Sequence, residues 1–165
     1  VAHPISSLTN EIHVIHAGLV EYHNALATQR EIHSEVSQSS LENTLILLEH
    51  PSVYTAGRRT LDNEKPMDGT PVVDVDRGGK ITWHGPGQLV GYPIVRLANP
   101  HELVGFVRTI EAGLIQVCKE FGITTQCISK RSGVFGLSIV AEKEKLLLSE
   151  YALLKASPCM ALHSM

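Results

Sequence analysis

Apolar positions change period several times along the chain, and each change marks an element. In "EIHVIHAG" (Glu11–Gly18), Ile12 and Val14 alternate with polar neighbours before His16 or Ala17, which predicts a short half-buried strand. Through "LVEYHNALATQREIHSEV" (Leu19–Val36) the spacing lengthens. Leu19, Tyr22, Leu26 and Gln29 or Ile32 fall near helical spacing, and the polar stretch "SQSSLEN" ends that helix. "TLILLEH" (Thr44–His50) is a continuous apolar run closed by Pro51, the pattern of a central strand buried on both faces.

"PVVDVDRGGKITWHGPGQLVGYPIVRL" (Pro71–Leu97) predicts three short strands in a meander, "VVDVD", "KITWH" and "LVGYPIV", separated by Gly78-Gly79 and by "GPGQ". The clearest helix follows, in "NPHELVGFVRTIEAGLIQVCKEFG" (Asn99–Gly122). Asn99 suits the N-cap, Pro100 the first helical position, Glu102 a capping box and Gly122 the position just past the C-terminus. Leu103, Phe106, Val107, Ile110, Leu114, Val117, Cys118 and Phe121 form one apolar stripe, which explains Cys118 as core. A strand in "ITTQCIS" (Ile123–Ser129) and the segment "KRSGVF" come next.

Length and composition narrow the class. A chain of 165 residues suits one domain with a real core, and 43% apolar with 19% charged residues is an ordinary soluble globular balance. The formal charge of -3 and the lack of a basic stripe exclude a nucleic-acid groove. There is no signal-peptide pattern and no run of about 18 apolar residues, so neither secretion nor a membrane partner is expected, and the cytoplasm is. Cys118, Cys127 and Cys159 show no paired spacing, which argues against a disulfide scaffold or a structural zinc. The nine histidines are scattered, and no metal site is expected.

The chemistry concentrates in "RGGKITWHGPGQLVGYPI" (Arg77–Ile94). Gly78 and Gly79 let a ligand come against the backbone, where their N–H groups can bind a carbonyl or an anion. Arg77 and Lys80 flank that turn, and His84 opens a glycine- and proline-rich bend that can hold its ring in one orientation. Neither a P-loop nor a dinucleotide fingerprint is present. On the residues alone, a structural hairpin and a ligand-binding hairpin both remain open.

Together with "LLEHPSVYTAGRR" (Leu47–Arg59) before it and "SGVF" (Ser132–Phe135) after it, the RGG-x-x-T-x-HGPGQ block closely resembles the lipoyl(octanoyl) transferases of the biotin/lipoate protein ligase superfamily. The resemblance implies an α/β fold with a mixed, largely antiparallel sheet packed with helices. It implies transfer of an octanoyl group from octanoyl-acyl carrier protein to a lysine of a lipoyl domain, through a cysteine thioester and without a cofactor. Acceptors would be the lipoyl domains of 2-oxoacid dehydrogenase complexes and the glycine cleavage H protein. Arg77, Gly78, Gly79, Lys80, Ile81, Thr82, Trp83 and His84 would line the acyl pocket, supported by Tyr54, Gly57, Arg58 and Gly85. An ATP-dependent lipoate ligase and a non-catalytic fragment keeping part of the pocket are the alternatives.

The family's chemistry needs a lysine in an RK-x-AAIG-like stretch and a later cysteine in a PCG context, and neither can be read here. Residues 1–135 therefore read as the N-terminal part of the catalytic domain and 136–165 as an atypical tail. Codon degeneracy allows the bases of Leu146–Leu153 to encode "AAIGIRV" in another frame, and those of Lys155–Met165 "GVTMHGFALN". Phe135 into Gly136 permits tryptophan, and Lys143 through Lys145 permit arginine then lysine. The expectation is a frameshifted reading from about Gly136 onward, truncated before the catalytic cysteine, so that no catalytic residue is assigned and Cys159 is no nucleophile. The competing expectation is a helix over Glu142–Ala156, with Leu147, Tyr151 and Leu154 on one face. Cys127 is expected to be a buried structural thiol.

Overall fold

A computed structural model describes residues 12–97, 99, 103–129, 132–136 and 152–154. The chain forms two compact units that part at residues 98 and 99. Among the described residues, each strand ladder lies within one unit.

The first unit runs β1 (His13–Leu19), α1 (Tyr22–Ser37), β2 (Thr44–Glu49), β3 (Val53–Ala56), a 3₁₀ turn (Asp62–Glu64), β4 (Val72–Asp74), β5 (Thr82–His84) and β6 (Val90–Ile94). As expected, β2 is central: β1 pairs parallel on one side and β6 antiparallel on the other. Its two faces differ, however. Thr44, Ile46 and Leu48 are buried while Leu45, Leu47 and Glu49 are half-buried, so one face meets the core and the other is partly covered.

Helix α1 supplies that core. The Glu21 carboxylate caps it by accepting from the backbone N–H groups of His23 and Asn24 at 2.8 and 3.2 Å. Starting there, the buried face is Tyr22, Ala25, Gln29, Ile32 and Val36, in steps of three and four. Leu19, predicted on this face, instead ends β1 and is exposed, and Leu26 is half-buried. Ala25, Ile32 and Val36 pack against Ile46 and Leu48 of β2 and Ile94 of β6.

The predicted meander is not formed. β3, which the apolar pattern does not single out, inserts between its first two members, giving the order β4-β3-β5 with β4 parallel and β5 antiparallel to it. The third member, β6, leaves for β2. Val53, Tyr54 and Thr55 are strong strand formers, and their pairing with two strands distant in sequence wins over the neighbour-to-neighbour hairpin. The "GPGQ" bend, with Gly87 at φ +84, donates the Gly87 N–H to the Glu49 carboxylate at 2.7 Å and so turns the chain toward β2.

The second unit contains α2 (Leu103–Glu120), β7 (Thr125–Cys127), β8 (Val134–Gly136) and β9 (Ala152–Leu154), the strands antiparallel in that order. Gly122 ends α2 as predicted: at φ +74, its N–H bonds to Lys119 O and that of Ile123 to Cys118 O, at 3.0 and 2.9 Å. The predicted caps Pro100 and Glu102 lie outside the described residues. Cys118 is buried, but the rest of the stripe is half-buried or exposed, because α2 packs on three-residue strands. Within the segment offered as a helix over Glu142–Ala156, Ala152–Leu154 is a strand instead, its backbone taken up by pairing with β8. The remainder of that segment lies outside the described residues.

Candidate functional site

β3 is the axis of the site. Its pairing with β5 sets Val53 opposite His84, Tyr54 opposite Trp83 and Thr55 opposite Thr82. Directly opposed residues share a face, so Thr55 and His84 lie on one side of the sheet and Tyr54 and Trp83 on the other. The eight residues Arg77–His84 are thus not all turned to one place.

Arg77 folds back onto β3. Its guanidinium donates to Thr55 O at 2.9 Å, Thr55 Oγ1 at 2.7 Å, Lys80 O at 2.9 Å and Gly78 O at 3.1 Å. Thr55 is 1% exposed, so these charge-assisted bonds satisfy polar atoms that water does not reach. The Gly57–Arg59 segment is laced to the same turn: Arg58 N–H donates to Arg77 O at 3.1 Å and Arg59 N–H to Gly79 O at 3.0 Å.

With the Arg77 N–H on its oxygen, the Thr55 hydroxyl lies 3.5 Å from His84 Nε2, while His84 Nδ1 lies 2.9 Å from Gln88 Oε1. An amide oxygen only accepts, so Nδ1 carries the proton and Nε2 presents its lone pair. Arg77 thus donates to Thr55 and a neutral His84 donates to Gln88, with the Thr55 hydroxyl 3.5 Å from both His84 Nε2 and Thr82 O. Burial lowers the His84 pKa below its ordinary value, and the nearby Arg77 charge pushes it the same way against the opposing Gln88 contact.

The sign of the pH effect follows. A depressed folded-state pKa contributes stability that is complete above the unfolded value of about 6.5 and is lost as pH falls through the folded one. Urea unfolding at pH 7.5 and pH 5.5 is expected to show a larger acid loss for the native chain than for His84→Gln. Equal losses would show that His84 is not held neutral.

Among the other predicted residues, Lys80 forms an ion pair with Glu64, whose carboxylate the Leu61 N–H and Lys80 hold below its usual pKa. Trp83 covers Gly85 on the opposite face from His84. Ile81 and Thr82 are half-buried, and Thr82 reaches the site through its carbonyl, 3.5 Å from Thr55 Oγ1. Arg58 is exposed. Gly79, at φ +92, gives the turn its shape, and a Cβ at Gly78 would meet nothing within 4 Å, so the backbone there faces open space. Among the described residues, the N–H groups of Gly78 and Gly79 donate to no other protein group.

Several members were not singled out from the sequence. Thr55 and Gln88 join through β3 and the "GPGQ" bend. Behind them His50 is 0% exposed, and its ring lies 5.8 Å from that of His84. The signal for His50 was available, since Thr44, Ile46, Leu48 and His50 fall at every second position of one run.

The second unit holds a separate polar cluster. Buried Glu111 accepts from Gly133 N–H and from Arg108 at 2.6 Å each, and from the Cys127 thiol at 3.6 Å. Burial opposes its ionisation, yet these donors prevail and its pKa is lowered. Cys127 is exposed rather than buried, although its thiol reaches the buried Glu111 carboxylate, and desolvation with the Glu111 charge raises its pKa.

The described site has counterparts in known proteins. The family Lipoyl protein ligase A/B catalytic domain matches residues 21–143. The chain belongs to this family. The matched span contains every residue of the Arg77–Gln88 network and extends past Phe135 to residue 143. The chain is 60% identical over 116 residues to an octanoyltransferase of Leifsonia xyli, covering 70% of this chain and 52% of that protein. It is 53% identical over 131 residues to one of Salinispora arenicola, with coverage of 79% and 62%, and 58% identical over 127 residues to one of Nocardia farcinica, with 77% and 51%. It spans about half to three-fifths of the length of these relatives.

Two solved structures share the fold. A bi-partite lipoate protein ligase from Thermoplasma acidophilum superposes with a TM-score of 0.54 at 15% identity, over 76% of this chain and 52% of that one. The P. falciparum protein LipL1, in complex with lipoate, gives 0.52 at 13%, over 75% and 40%. Family membership and these likenesses bear out the expected mixed α/β fold with its largely antiparallel pairing.

Proposed function

We propose that residues 1–135 are the acyl-binding part of an octanoyltransferase of protein lipoylation, acting in the cytoplasm. The whole enzyme moves an octanoyl group from octanoyl-acyl carrier protein to a lysine of lipoyl domains, including those of 2-oxoacid dehydrogenases and the glycine cleavage H protein. The observation that carries this reading is the open backbone at Gly78, where the N–H groups of Gly78 and Gly79 donate to no other described group, next to Arg77, which is tied to Thr55 beside neutral His84. Such donors suit the carbonyl of a thioester or the carboxylate of a free fatty acid. The identity to proteins named octanoyltransferase supports the transferase over the ATP-dependent ligase.

We further propose that residues 136–165 are read in another frame. Sequencing the gene across the codons for Val134–Ser138 tests this, and a second frame that fails to continue as "AAIGIRV" and "GVTMHGFALN" sinks it. These 165 residues then lack the family's lysine and cysteine motifs. Titration with octanoate is expected to perturb the backbone resonances of Arg77–His84. Incubation with octanoyl-acyl carrier protein is expected to leave the intact mass unchanged and a lipoyl domain unmodified. No octanoate binding overturns the acyl reading, a stable octanoyl adduct overturns the lack of a nucleophile, and ATP-dependent lipoate transfer selects the ligase.

A further inference from the structure

His50 is the most completely enclosed polar side chain near the site, and neither nitrogen is idle. Nδ1 lies 2.7 Å from Val20 O and Nε2 lies 2.8 Å from the Tyr92 hydroxyl. The carbonyl of Val20 only accepts, so Nδ1 bears the proton and Nε2 accepts from Tyr92. One tautomer is thereby fixed, from the turn entering α1 on one side and from β6 on the other.

A ring that only filled space here could be leucine or phenylalanine, with no polar atoms to desolvate. The imidazole instead ties together elements that the two ladders leave separate. β2, at whose end His50 sits, belongs with β1 and β6, whereas His84 belongs with β3 and β4. His50 meets Tyr22 of α1 at 5.3 Å between centroids, Tyr92 of β6 at 6.0 Å and His84 of β5 at 5.8 Å, the last edge-on with planes at 70°. His84 has Gln88 on one nitrogen and Thr55 at 3.5 Å from the other. Those two contacts fix the ring's direction within its plane but leave its tilt about the line joining them. An edge-on ring, itself pinned at both nitrogens, restrains that tilt.

We propose that His50, locked between the Val20 carbonyl and the Tyr92 hydroxyl, is a positioning residue that sets the His84 ring for the acyl group. This rests on the acyl-binding reading above. Tyr92→Phe removes one anchor of His50 and keeps the ring that packs there. His50→Phe removes both anchors and takes one hydrogen-bond partner each from the Val20 carbonyl and the Tyr92 hydroxyl, so it is the variant at risk of not folding.

The test uses the ¹⁵N-labelled 165-residue chain, with imidazole ¹H–¹⁵N correlation spectra and octanoate as the probe. In the native chain His50 should show a protonated Nδ1 and an acceptor Nε2. In Tyr92→Phe the backbone spectrum should persist, the His84 ring signals should move, and octanoate should bind about tenfold more weakly, the effect of one lost hydrogen bond. A purely structural His50 would instead lower the melting temperature while leaving the His84 ring signals of the folded protein where they were. That result overturns the proposal, as does a His50 protonated at Nε2 alone. If the native chain binds no octanoate, the acyl reading fails, and the His84 ring signals still decide whether His50 positions it.

Discussion

Replacing Arg77 by methionine is expected to cost the first unit about 3 kcal/mol of unfolding free energy. The guanidinium makes four hydrogen bonds that no other side chain can supply together: two to Thr55 of β3 and two to the carbonyls of its own turn. Methionine fills similar volume but leaves Thr55 O and Oγ1 without these donors, and Thr55 is buried. Lysine should recover less than half of the loss, since one ammonium cannot serve carbonyl and hydroxyl with the geometry of a planar fork. Trp83 is the single tryptophan and sits on β5, so urea unfolding followed by its fluorescence reads this unit. A change smaller than about 0.5 kcal/mol, the scale of ordinary surface substitutions, would show that the guanidinium is not the tie between hairpin and β3.

Gly57, in the Leu47–Arg59 segment, and Gly78, in the Arg77–Gln88 block, should respond in opposite ways. A Cβ at Gly57 would lie 2.6 Å from Gly79 O and 2.9 Å from Arg77 Nη1. The first contact is backbone, so Gly57→Ala must push the two segments apart and weaken the bonds from Arg58 to Arg77 and from Arg59 to Gly79. A loss of about 2–3 kcal/mol is expected, the upper range for overpacking a tight contact. Gly78→Ala meets nothing within 4 Å and should leave the unfolding curve unchanged. Its methyl group would occupy the open approach to the backbone, so octanoate binding should fall about tenfold. If Gly57→Ala folds with native stability, the close approach is not constrained. If Gly78→Ala binds octanoate normally, the acyl group does not come against that turn.

Much of the fold was legible because it is written in local periodicity. The central β2 and the end of α2 at Gly122 follow from runs and caps that need no distant partner. The meander failed because pairing is a long-range choice. Val72–Asp74 and Thr82–His84 read as neighbours in sequence, yet Val53–Ala56 lies between them. The buried face of α1 also shifted, since the Glu21 cap, unremarked in the pattern, fixes where the helix begins.

The Arg77–His84 block was legible as a motif, but a motif does not say which members face together. Alternation on β5 separates His84 from Trp83, and Lys80 turns to Glu64. Residue types, run lengths and the glycine positions determined both helices, the strands β1, β2 and β4 to β7, and the glycine turn at Gly78-Gly79. Tertiary structure alone decided that Arg77 would be spent on Thr55, that His84 would be neutral, and that His50, 34 residues earlier in the chain, would stand against it. The reason is physical. Protonation states and ring orientations depend on desolvation and on partners brought within a few ångströms by folding, and neither quantity exists along an extended chain.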